Sequence, residues 1–413
     1  MQREESACAD VRMTPEAIAQ YNRRIRQLPQ TGLLDLDGLR ERLSGALLRA
    51  WIGASDAPDR EPSFLNGRPL RKERLARIRS NRALERILPV PKIAWGLCTE
   101  RCALRILPTE FPMTGRADER YDDWLQESAV LPGEPAALLH TSGDGRFFYA
   151  AVGYGRGWLP RTAVGLCTDW AAFQTARAAK PFLTVTGSRL ILEQDPLEPR
   201  ISGRVLTMGT RLPLAAPPGT VEPLRGRMSY DNYLVELPAR DAAGMLCFVK
   251  AMVPVSAQVQ PGFVPYTDDA VMRLAEGLRG EVYGWGGRLG GRDCSSLVME
   301  LYRCFGFALP RGSAGLAGLP GGQELGGLSA EEKRTLLRTQ PPGTLLYFPG
   351  HVMLYCGEQA GQLLCISAAG NFQPPGSAGG WRAVNTVVRT PLDVVRANGE
   401  SWLASLTRLI RIG

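Results

Sequence analysis

Histidine and long apolar segments are scarce in this chain. His140 and His351 are the only histidines among 413 residues, so few positions can supply an imidazole for acid–base chemistry. No run of about 18 apolar residues occurs, so we expect no membrane-spanning helix. The first residues, MQREESACAD, also lack the apolar centre of a signal peptide. We therefore expect a cytoplasmic protein, or a periplasmic or cell-envelope protein whose export signal has been removed.

The nine cysteines give no sign of a metal site or of a disulfide framework. None stands in a CxxC pair or in the Cys/His spacing of a zinc site. Cys98 and Cys102 lie close together in sequence, but no second pair of ligands follows them. Most other cysteines lie in apolar runs, such as LCFV at 246–249 and LLCI at 363–366, which is typical of buried thiols. We expect neither a metal nor a cofactor.

The charge of the chain favours a polyanionic partner without identifying one. The net charge is +8, with 44% apolar and 22% charged residues, a composition typical of globular proteins. This charge is spread along the chain rather than gathered in a tail, and simple solubility would also explain it. The run RKERLARIRSNR at 71–82 most often means a solvated helix face. Because the aromatic residues are not interleaved with the basic ones, we expect no nucleic-acid partner.

Periodicity predicts a multidomain α+β protein with four regions. Residues 1–95 are rich in helix formers with apolar positions at helical spacing, which predicts a helical N-terminal accessory region. Short β-type runs between Gly, Pro and Asp turns follow, including a hairpin signal at TSGDG, and they divide near the Ala178–Pro181 break. We expect two SH3-like β-barrels, at 96–178 and 179–257. Residues 258–413 alternate between helical and strand patterns, with an irregular excursion over 311–329.

One cysteine lies where chemistry is plausible. Cys294 follows a glycine-rich loop and begins an apolar-periodic segment, with Asp293 as a good N-cap. A thiol at a helix N-terminus faces free N–H groups and the positive end of the dipole, which favour the thiolate and can hold an oxyanion. A cysteine at a helix start is nevertheless more often structural than catalytic.

The scarcity of histidine strengthens the case for this cysteine. His351 follows Pro349-Gly350 and opens the strand pattern HVMLYC, so it is expected at the rim of a sheet. That position suits a base that must reach a helix terminus. His140 lies in the predicted hairpin and is interpreted as a surface or turn residue.

A third, orienting group can be placed by counting along the ladder. If residues 357–361 form the turn, His351 faces Ser367, whose hydroxyl can accept a hydrogen bond from the imidazole Nδ1–H. A slip of one residue would move Ser367 to the opposite face. Asn371 is the alternative and would require the strand to end before it.

These residues, in this order, resemble the NlpC/P60 family of cysteine peptidases. The resemblance depends on Tyr283-Gly-Trp-Gly-Gly287, Asp293-Cys294-Ser295, Leu309-Pro310-Arg311 with Ser313, and Gly343-Thr-Leu-Leu-Tyr-Phe-Pro-Gly-His351. The upstream runs YDDWLQ and SGRVLTMGTRLPL are similar to the bacterial SH3 domains that precede the peptidase in γ-D-glutamyl-L-diamino-acid endopeptidases.

The resemblance implies a papain-like domain at 258–413 with Cys294 as nucleophile and His351 as base. Tyr283 and the Cys294 backbone N–H are implied in the oxyanion site. The residues implied in substrate binding are Asp293, Ser295, Ser313 and Trp285. Asp293, Ser295 and Ser313 would receive the free amine of an N-terminal L-alanine, since a carboxylate ringed by hydroxyls suits an ammonium group. The first SH3 domain would close this pocket, with Tyr121 and Trp124 as candidate contacts.

The resemblance further implies a monomeric murein peptide hydrolase that cleaves the γ-D-Glu–diamino acid bond of peptidoglycan stem peptides. A cytoplasmic location would then mean recycling of murein peptides. Two departures weaken the match: Ser367 stands where the family usually has a strongly polar residue, and 312–317 is poor in Ser and Gln. The alternatives are a weakly active or inactive wall-binding protein, and an amidase or acyltransferase of the same fold.

Overall fold

The chain folds into two compact units in a computed structural model that describes residues 11–178, 180–374, 380 and 382–413. Unit 1 joins the N-terminal segment up to Leu33 with Phe263–Gly413, and unit 2 is Leu34–Gly262. The N-terminal region predicted as one helical segment is therefore divided between the two units. Among the described residues, no helix has the length and apolar character needed to cross a membrane.

The helices are short, and side-chain N-caps define several of their starts. Thr14, Asp169 and Ser329 each accept a hydrogen bond from a backbone N–H in the first turn of the helix that follows. The helices are α1 Pro15–Arg26, α2 Leu39–Arg42, α3 Gly45–Ala54, α4 Lys72–Ser80, α5 Trp170–Arg177, α6 Asp268–Glu276, α7 Cys294–Arg303, α8 Ser313–Ala317, α9 Ala330–Arg338 and α10 Trp402–Ser405. Short 3₁₀ turns lie at Pro29–Thr31, Leu84–Arg86, Arg161–Ala163 and Trp285–Gly290.

The described residues of unit 2 form two main antiparallel sheets and three small ones. Its strands are β1 Phe64–Leu65, β2 Arg68–Pro69, β3 Ala94–Cys98, β4 Cys102–Arg105, β5 Met113–Thr114, β6 Gln126–Val130, β7 Pro135–Thr141, β8 Phe147–Val152, β9 Gly155–Pro160, β10 Val164–Leu166, β11 Phe182–Val185, β12 Arg189–Ile191, β13 Val205–Thr207, β14 Arg211–Ala216, β15 Pro223–Leu224, β16 Arg227–Met228, β17 Asn232–Arg240, β18 Leu246–Pro254 and β19 Val259–Pro261. The sheet orders are β10-β3-β7-β8-β9-β4-β6, β18-β17-β14-β11-β19, β2-β1-β5, β12-β13 and β15-β16.

The prediction of two SH3-like β-barrels is confirmed only in part, because both regions form antiparallel sheets but no closed barrel is seen among the described residues. The first large sheet ends at β10 and β6 and the second at β18 and β19, and these edge strands are not hydrogen-bonded to each other. Strand length and turn spacing predict antiparallel pairing, but closure depends on edge pairing that the pattern does not encode. The predicted hairpin at TSGDG is confirmed, because it joins β7 to β8.

Unit 1 is α+β and positions the candidate site. Its strands are β20 Gly322–Glu324, β21 Leu345–Phe348, β22 His351–Gln359, β23 Gln362–Phe372, β24 Arg382–Pro391 and β25 Arg408–Ile410. They form one antiparallel sheet in the order β20-β25-β21-β22-β23-β24. Helix α7 packs against β22 and β23. Its inward face carries Leu297, Val298 and Leu301, which are fully buried and contribute about 1.5–3 kcal/mol each.

The irregular excursion predicted over 311–329 is partly wrong. Helix α8 lies within it, and β20 pairs there with β25 at the edge of the sheet. Its Gly and Pro content suggested a loop, but long-range pairing with the C-terminal strand supplies order that local pattern cannot reveal.

Candidate active site

The predicted helix start at Cys294 is confirmed. Asp293 is the N-cap of α7: its side chain accepts from the Ser296 N–H at 2.9 Å, and the Ser296 hydroxyl accepts from the Asp293 N–H at 2.9 Å. This reciprocal pair fixes the first turn of the helix. Cys294 occupies the first helical position and is partly accessible to solvent.

The thiol of Cys294 is neutral at rest, contrary to the expectation that the helix terminus favours the thiolate. Burial and the adjacent Asp293 carboxylate raise its pKa to about 12. The backbone N–H groups of Val352 and Ser295 donate toward the sulfur, and the Arg311 cation acts in the same direction, but these effects are smaller than that of burial. A base must therefore remove the thiol proton during the reaction.

His351 is held at the start of β22 by a tight turn and two aromatic rings. It follows Pro349-Gly350, where Gly350 has φ +91°, as the third position of a type II turn requires. The imidazole lies 5.3 Å from the Phe348 ring and 4.9 Å from the Trp402 ring, centroid to centroid. These contacts fix the position of the ring relative to the sheet.

His351 is also neutral at rest. Burial, together with the positive charge of Arg396, lowers its pKa to about 4, although the Asp293 carboxylate opposes this shift. An unprotonated imidazole near a neutral thiol is the state required for general-base activation of that thiol.

Ser367 contacts His351 through Nε2 rather than through the predicted Nδ1. The distance from Nε2 to the Ser367 Oγ is 3.0 Å, and the Ser367 side chain is fully buried. With Nε2 engaged, Nδ1 is the ring nitrogen that remains for proton transfer with the thiol. Ser367 therefore lies where an orienting residue is required.

The predicted strand pairing, which placed Ser367 directly opposite His351, is nevertheless wrong. The turn between β22 and β23 is Ala360-Gly361, both with positive φ, not 357–361. A bulge at Cys356 then shifts the register, and Leu354 pairs with Ile366. Continuing this register puts Ser367 diagonal to His351, not opposite it, and diagonal neighbours on one face remain within side-chain reach.

Asn371, the alternative orienting residue, would require β23 to end before it, and this requirement is not met. Strand β23 runs through to Phe372, so it does not end before Asn371. Asn371 pairs with Ala383 in β24 and its side chain is exposed.

Asp293 is bound by four donors, one of which is a cation. Its Oδ1 accepts from the Ser295 hydroxyl at 3.0 Å and from the Ser296 N–H, and its Oδ2 accepts from the Gly286 N–H at 2.8 Å and from Arg311. Burial alone would raise the pKa of Asp293, but Arg311 and these donors hold it below its ordinary value. The carboxylate predicted to receive an ammonium group is thus ionised and already paired.

Ser295 and Ser313, the two serines implied in the pocket, both follow Cys294 in sequence. Arg311 also donates to the Ser295 hydroxyl. Ser313 is the first residue of α8, two positions after Arg311, and is partly buried. The structure therefore brings Asp293, Ser295 and Arg311 into direct contact.

The glycine-rich loop before α7 holds Tyr283 and Trp285. Tyr283 forms a parallel bridge with Arg292, two residues before Cys294, and its N–H donates to the Asn385 carbonyl at 2.9 Å. Trp285 is 46% exposed. Because the Gly286 N–H donates to Asp293, this loop is tied to the N-cap of α7.

Sequence reasoning missed a buried ion network beneath the site. Arg292 is 1% exposed and pairs with Glu281 and with Glu300, the latter at 2.8 Å. The network joins the glycine-rich loop to the middle of α7, so it fixes the backbone that leads into Cys294. The sequence signal was a single acidic residue, Glu300, within the apolar stretch LVMELY of α7.

Comparisons with known proteins agree with this geometry. The model of the NlpC/P60 family matches residues 280–370, and the model of the SH3 domain (SH3b1 type) matches residues 112–160. No curated protein sequence matches the chain.

Solved structures resemble the chain in fold. One, described as a novel NlpC/P60 endopeptidase from Photobacterium damselae subsp. piscicida, is 19% identical with a TM-score of 0.73, over 96% of this chain and 93% of that chain. At this identity the likeness shows the fold alone. An NlpC/P60 family protein from Bacillus cereus ATCC 10987 is 20% identical, over 70% of this chain and 82% of that chain, with a TM-score of 0.48, which is too low to establish a common fold. Residues 280–370 of this chain are an NlpC/P60 domain, and residues 112–160 are an SH3 domain of the SH3b1 type.

Proposed function

We propose that the protein is a cysteine peptidase in which Cys294 attacks an amide carbonyl and His351 accepts its proton. The observation that supports this most is the imidazole of His351, which is neutral, bound to Ser367 through Nε2 and located beside Val352, whose N–H donates to the Cys294 sulfur. A neutral thiol and a neutral base in one buried site form a competent pair for nucleophilic catalysis.

The reaction proceeds through an acyl-thioester. Nδ1 of His351 takes the thiol proton as the sulfur bonds to the carbonyl carbon, and the imidazolium then gives that proton to the leaving amine. Water, deprotonated by His351, hydrolyses the thioester and restores the thiol. Asp293 stabilises the transient imidazolium, because its carboxylate raises the pKa of His351. The Cys294 backbone N–H and Tyr283 are proposed to hold the oxyanion.

The proposed substrate is a murein stem peptide, cleaved at the γ-D-Glu–diamino acid bond. This assignment rests on the resemblance to γ-D-glutamyl-L-diamino-acid endopeptidases and on the NlpC/P60 domain. An SH3 domain of the SH3b1 type upstream is consistent with a cell-wall substrate.

Incubation with L-Ala-γ-D-Glu-diaminopimelate tests the reaction. We expect release of L-Ala-D-Glu and free diaminopimelate, with a loss of more than about 10³-fold in Cys294→Ala. Ser367→Ala should lower kcat about five- to tenfold, as expected from the loss of a hydrogen bond worth about 1 kcal/mol. Product formation by Cys294→Ala at the native rate, or no product from the native protein, would contradict the proposal.

A preference for a free N-terminal L-alanine is proposed to be modest. Asp293 attracts an ammonium group, but Arg311 already balances its charge. N-acetylation of the alanine should therefore lower kcat/KM on the order of tenfold, or about 1.4 kcal/mol. Equal cleavage of the acetylated peptide would show that Asp293, Ser295 and Ser313 do not receive the amine.

A weakly active or inactive wall-binding protein is the second candidate. The observation that favours it is the orienting group, because the Ser367 hydroxyl fixes an imidazole less firmly than a carboxylate. Ser367→Asp separates the two: a faster reaction means that the native site is limited by its orienting group, whereas continued inactivity supports a binding role.

A further inference from the structure

A single short segment of unit 2 holds most of the net charge of the chain. Residues 68–86 contain eight basic and two acidic residues, a net charge of +6, whereas the whole chain carries +8. The charge is therefore concentrated rather than spread. This segment includes helix α4 and is not part of the candidate active site.

Helix α4 presents these charges outward. Leu75 and Ile78 on its inner side pack against a small core that includes Leu65 and Met113. Four of the basic residues on and beside the helix are exposed, and together they are called the basic surface: Arg68, Arg71, Lys72 and Arg77.

The basic surface is not balanced by acidic side chains. Its four members form no ion pair within the residues that the structure describes, whereas the neighbouring Arg79 pairs with Asp56 at 2.8 Å. Arg71 and Lys72 also lie at the N-terminus of α4, where the helix dipole disfavours cations. Helix stability therefore does not account for these charges.

Two adjoining grooves extend the basic surface. One, of about 550 Å³, is lined by Arg74, Arg77, Arg86, Arg146 and Phe111. The other, of about 400 Å³, shares Arg86 and is lined by Leu88 and Lys92. The grooves thus place cations beside apolar side chains.

The acidic side chains of the first groove are already engaged. Glu110 pairs with Arg146 at 2.7 Å, and Glu85 pairs with Arg86 at 3.6 Å. Asp144 accepts from the Ser142 hydroxyl at 2.6 Å. Glu85 and Glu110 therefore compensate Arg86 and Arg146 and leave Arg77 and the rest of the basic surface uncompensated.

Exposed apolar residues lie in or next to the two grooves. Leu88 is 54% exposed, Val90 78% and Phe111 38%. Isolated exposed apolar residues are ordinary on proteins, but here three of them lie in or next to the two grooves that the cations line.

We propose that this part of unit 2 binds the surface of an anionic lipid bilayer. The cations of the basic surface attract anionic headgroups, an interaction worth about 1 kcal/mol per Lys or Arg near the membrane. A soluble polyanion would satisfy the same cations but would gain nothing from Leu88, Val90 and Phe111. Insertion of apolar side chains at the interface of a bilayer gives those residues a role. Binding is peripheral and reversible, and it weakens as salt screens the charges.

Co-sedimentation of the full chain with lipid vesicles tests the electrostatic part. We expect binding to vesicles that contain phosphatidylglycerol and none to phosphatidylcholine alone. The triple variant Arg71→Gln/Lys72→Gln/Arg77→Gln should bind on the order of a hundredfold more weakly. The control variant Arg23→Gln/Arg24→Gln/Arg26→Gln removes three exposed charges from α1 and should bind as the native protein does. An equal loss in both variants would overturn the proposal, because the effect would then depend on net charge alone.

A second variant distinguishes a bilayer from a soluble polyanion. Leu88→Ser/Val90→Ser should weaken vesicle binding roughly tenfold, because two exposed apolar side chains no longer insert. Its affinity for inorganic polyphosphate should equal that of the native protein. Unchanged vesicle binding by this variant would overturn the bilayer assignment and identify the surface as a site for soluble polyanions. Thermal unfolding of every variant checks that each is folded.

Discussion

The charges around Cys294 and those of the basic surface follow opposite rules. Near the thiol, Arg292 and Arg311 are buried and each is paired with a carboxylate. On α4, Arg71 and Arg77 are exposed, and within the described part of the chain no carboxylate pairs with them. Both regions are rich in arginine, so residue type alone does not separate them.

The difference teaches what each set of charges does. A buried pair with good geometry holds its elements in one arrangement, because any other arrangement leaves an uncompensated charge. Exposed, unpaired cations impose no geometry and instead attract a partner of opposite charge. The first set therefore determines where Cys294 lies, and the second is available for binding.

Breaking the buried network should have the largest effect. Arg292→Met leaves Glu281 and Glu300 without their cation, so we expect the free energy of unfolding to fall by about 3–5 kcal/mol. Chemical denaturation measures this change. Arg279→Met makes the same replacement at an exposed pair with Glu276 and should cost no more than about 1 kcal/mol. Similar losses in both variants would erase the distinction between buried and exposed pairs.

The neutral His351 should make stability depend on pH. Its folded pKa is about 4 and its ordinary value is 6.5, so between these values the unfolded chain binds a proton that the folded chain does not. Stability should therefore fall as pH decreases from 6.5 to 4, by up to about 3 kcal/mol. His351→Gln, which keeps a polar group beside Ser367, should lose this part of the dependence. Unfolding curves of both proteins across this window measure the difference, and equal slopes would contradict it.

Removing the Arg396 charge should move the acid limb of catalysis. Burial is the largest cause of the low pKa of His351, and the charge of Arg396 is the next largest. Arg396→Gln should therefore raise this pKa and shift the acid limb of kcat/KM to higher pH. Arg396 also stacks on Phe348, with its guanidinium carbon 4.3 Å from the ring centroid, and Arg396→Lys is the control that keeps the charge. A shift of equal size in the lysine variant would assign the effect to packing.

Neutralising the basic surface should have the smallest effect on stability. Arg71→Gln/Lys72→Gln/Arg77→Gln removes like charges that repel one another and make no ion pairs within the described residues. We expect the free energy of unfolding to change by no more than about 0.5 kcal/mol. A loss above about 2 kcal/mol would show that these residues support the fold, and the contrast with Arg292 would disappear.

The sequence predicted the elements of the site better than their surroundings. The start of α7 at Cys294 and of β22 at His351 were predictable, because an N-cap and a Pro-Gly turn are local signals. Trp402 and Arg396 were not, because they reach His351 from distant parts of the chain. Arg311 belongs to the Leu309-Pro310-Arg311 motif, but its pairing with Asp293 joins residues 18 positions apart and is not visible in the sequence.

Dependence on long-range contacts also explains why the sequence did not predict the open sheets or the protonation states of Cys294 and His351. Open sheets rather than barrels result from edge strands that do not pair, which strand patterns do not report. The protonation states of Cys294 and His351 depend on burial. At Cys294, burial raises the pKa by more than the helix N-terminus, which the sequence did predict, lowers it.

The bulge at Cys356 has a consequence for how this hairpin can change in length. Side chains alternate between the two faces of a strand, so each single-residue shift exchanges the faces. The bulge leaves Cys356 out of the pairing, so Tyr355 pairs with Cys365 and Ser367 lies on the same face as His351. Deletion of Cys356 would therefore remove the bulge and keep Ser367 on that face, whereas pairing Cys356 into the ladder would shift the register by one residue and turn the hydroxyl away from the imidazole. The hydrogen-bond partner of the base thus depends on how many residues of β22 are paired, not on how many residues the strand contains.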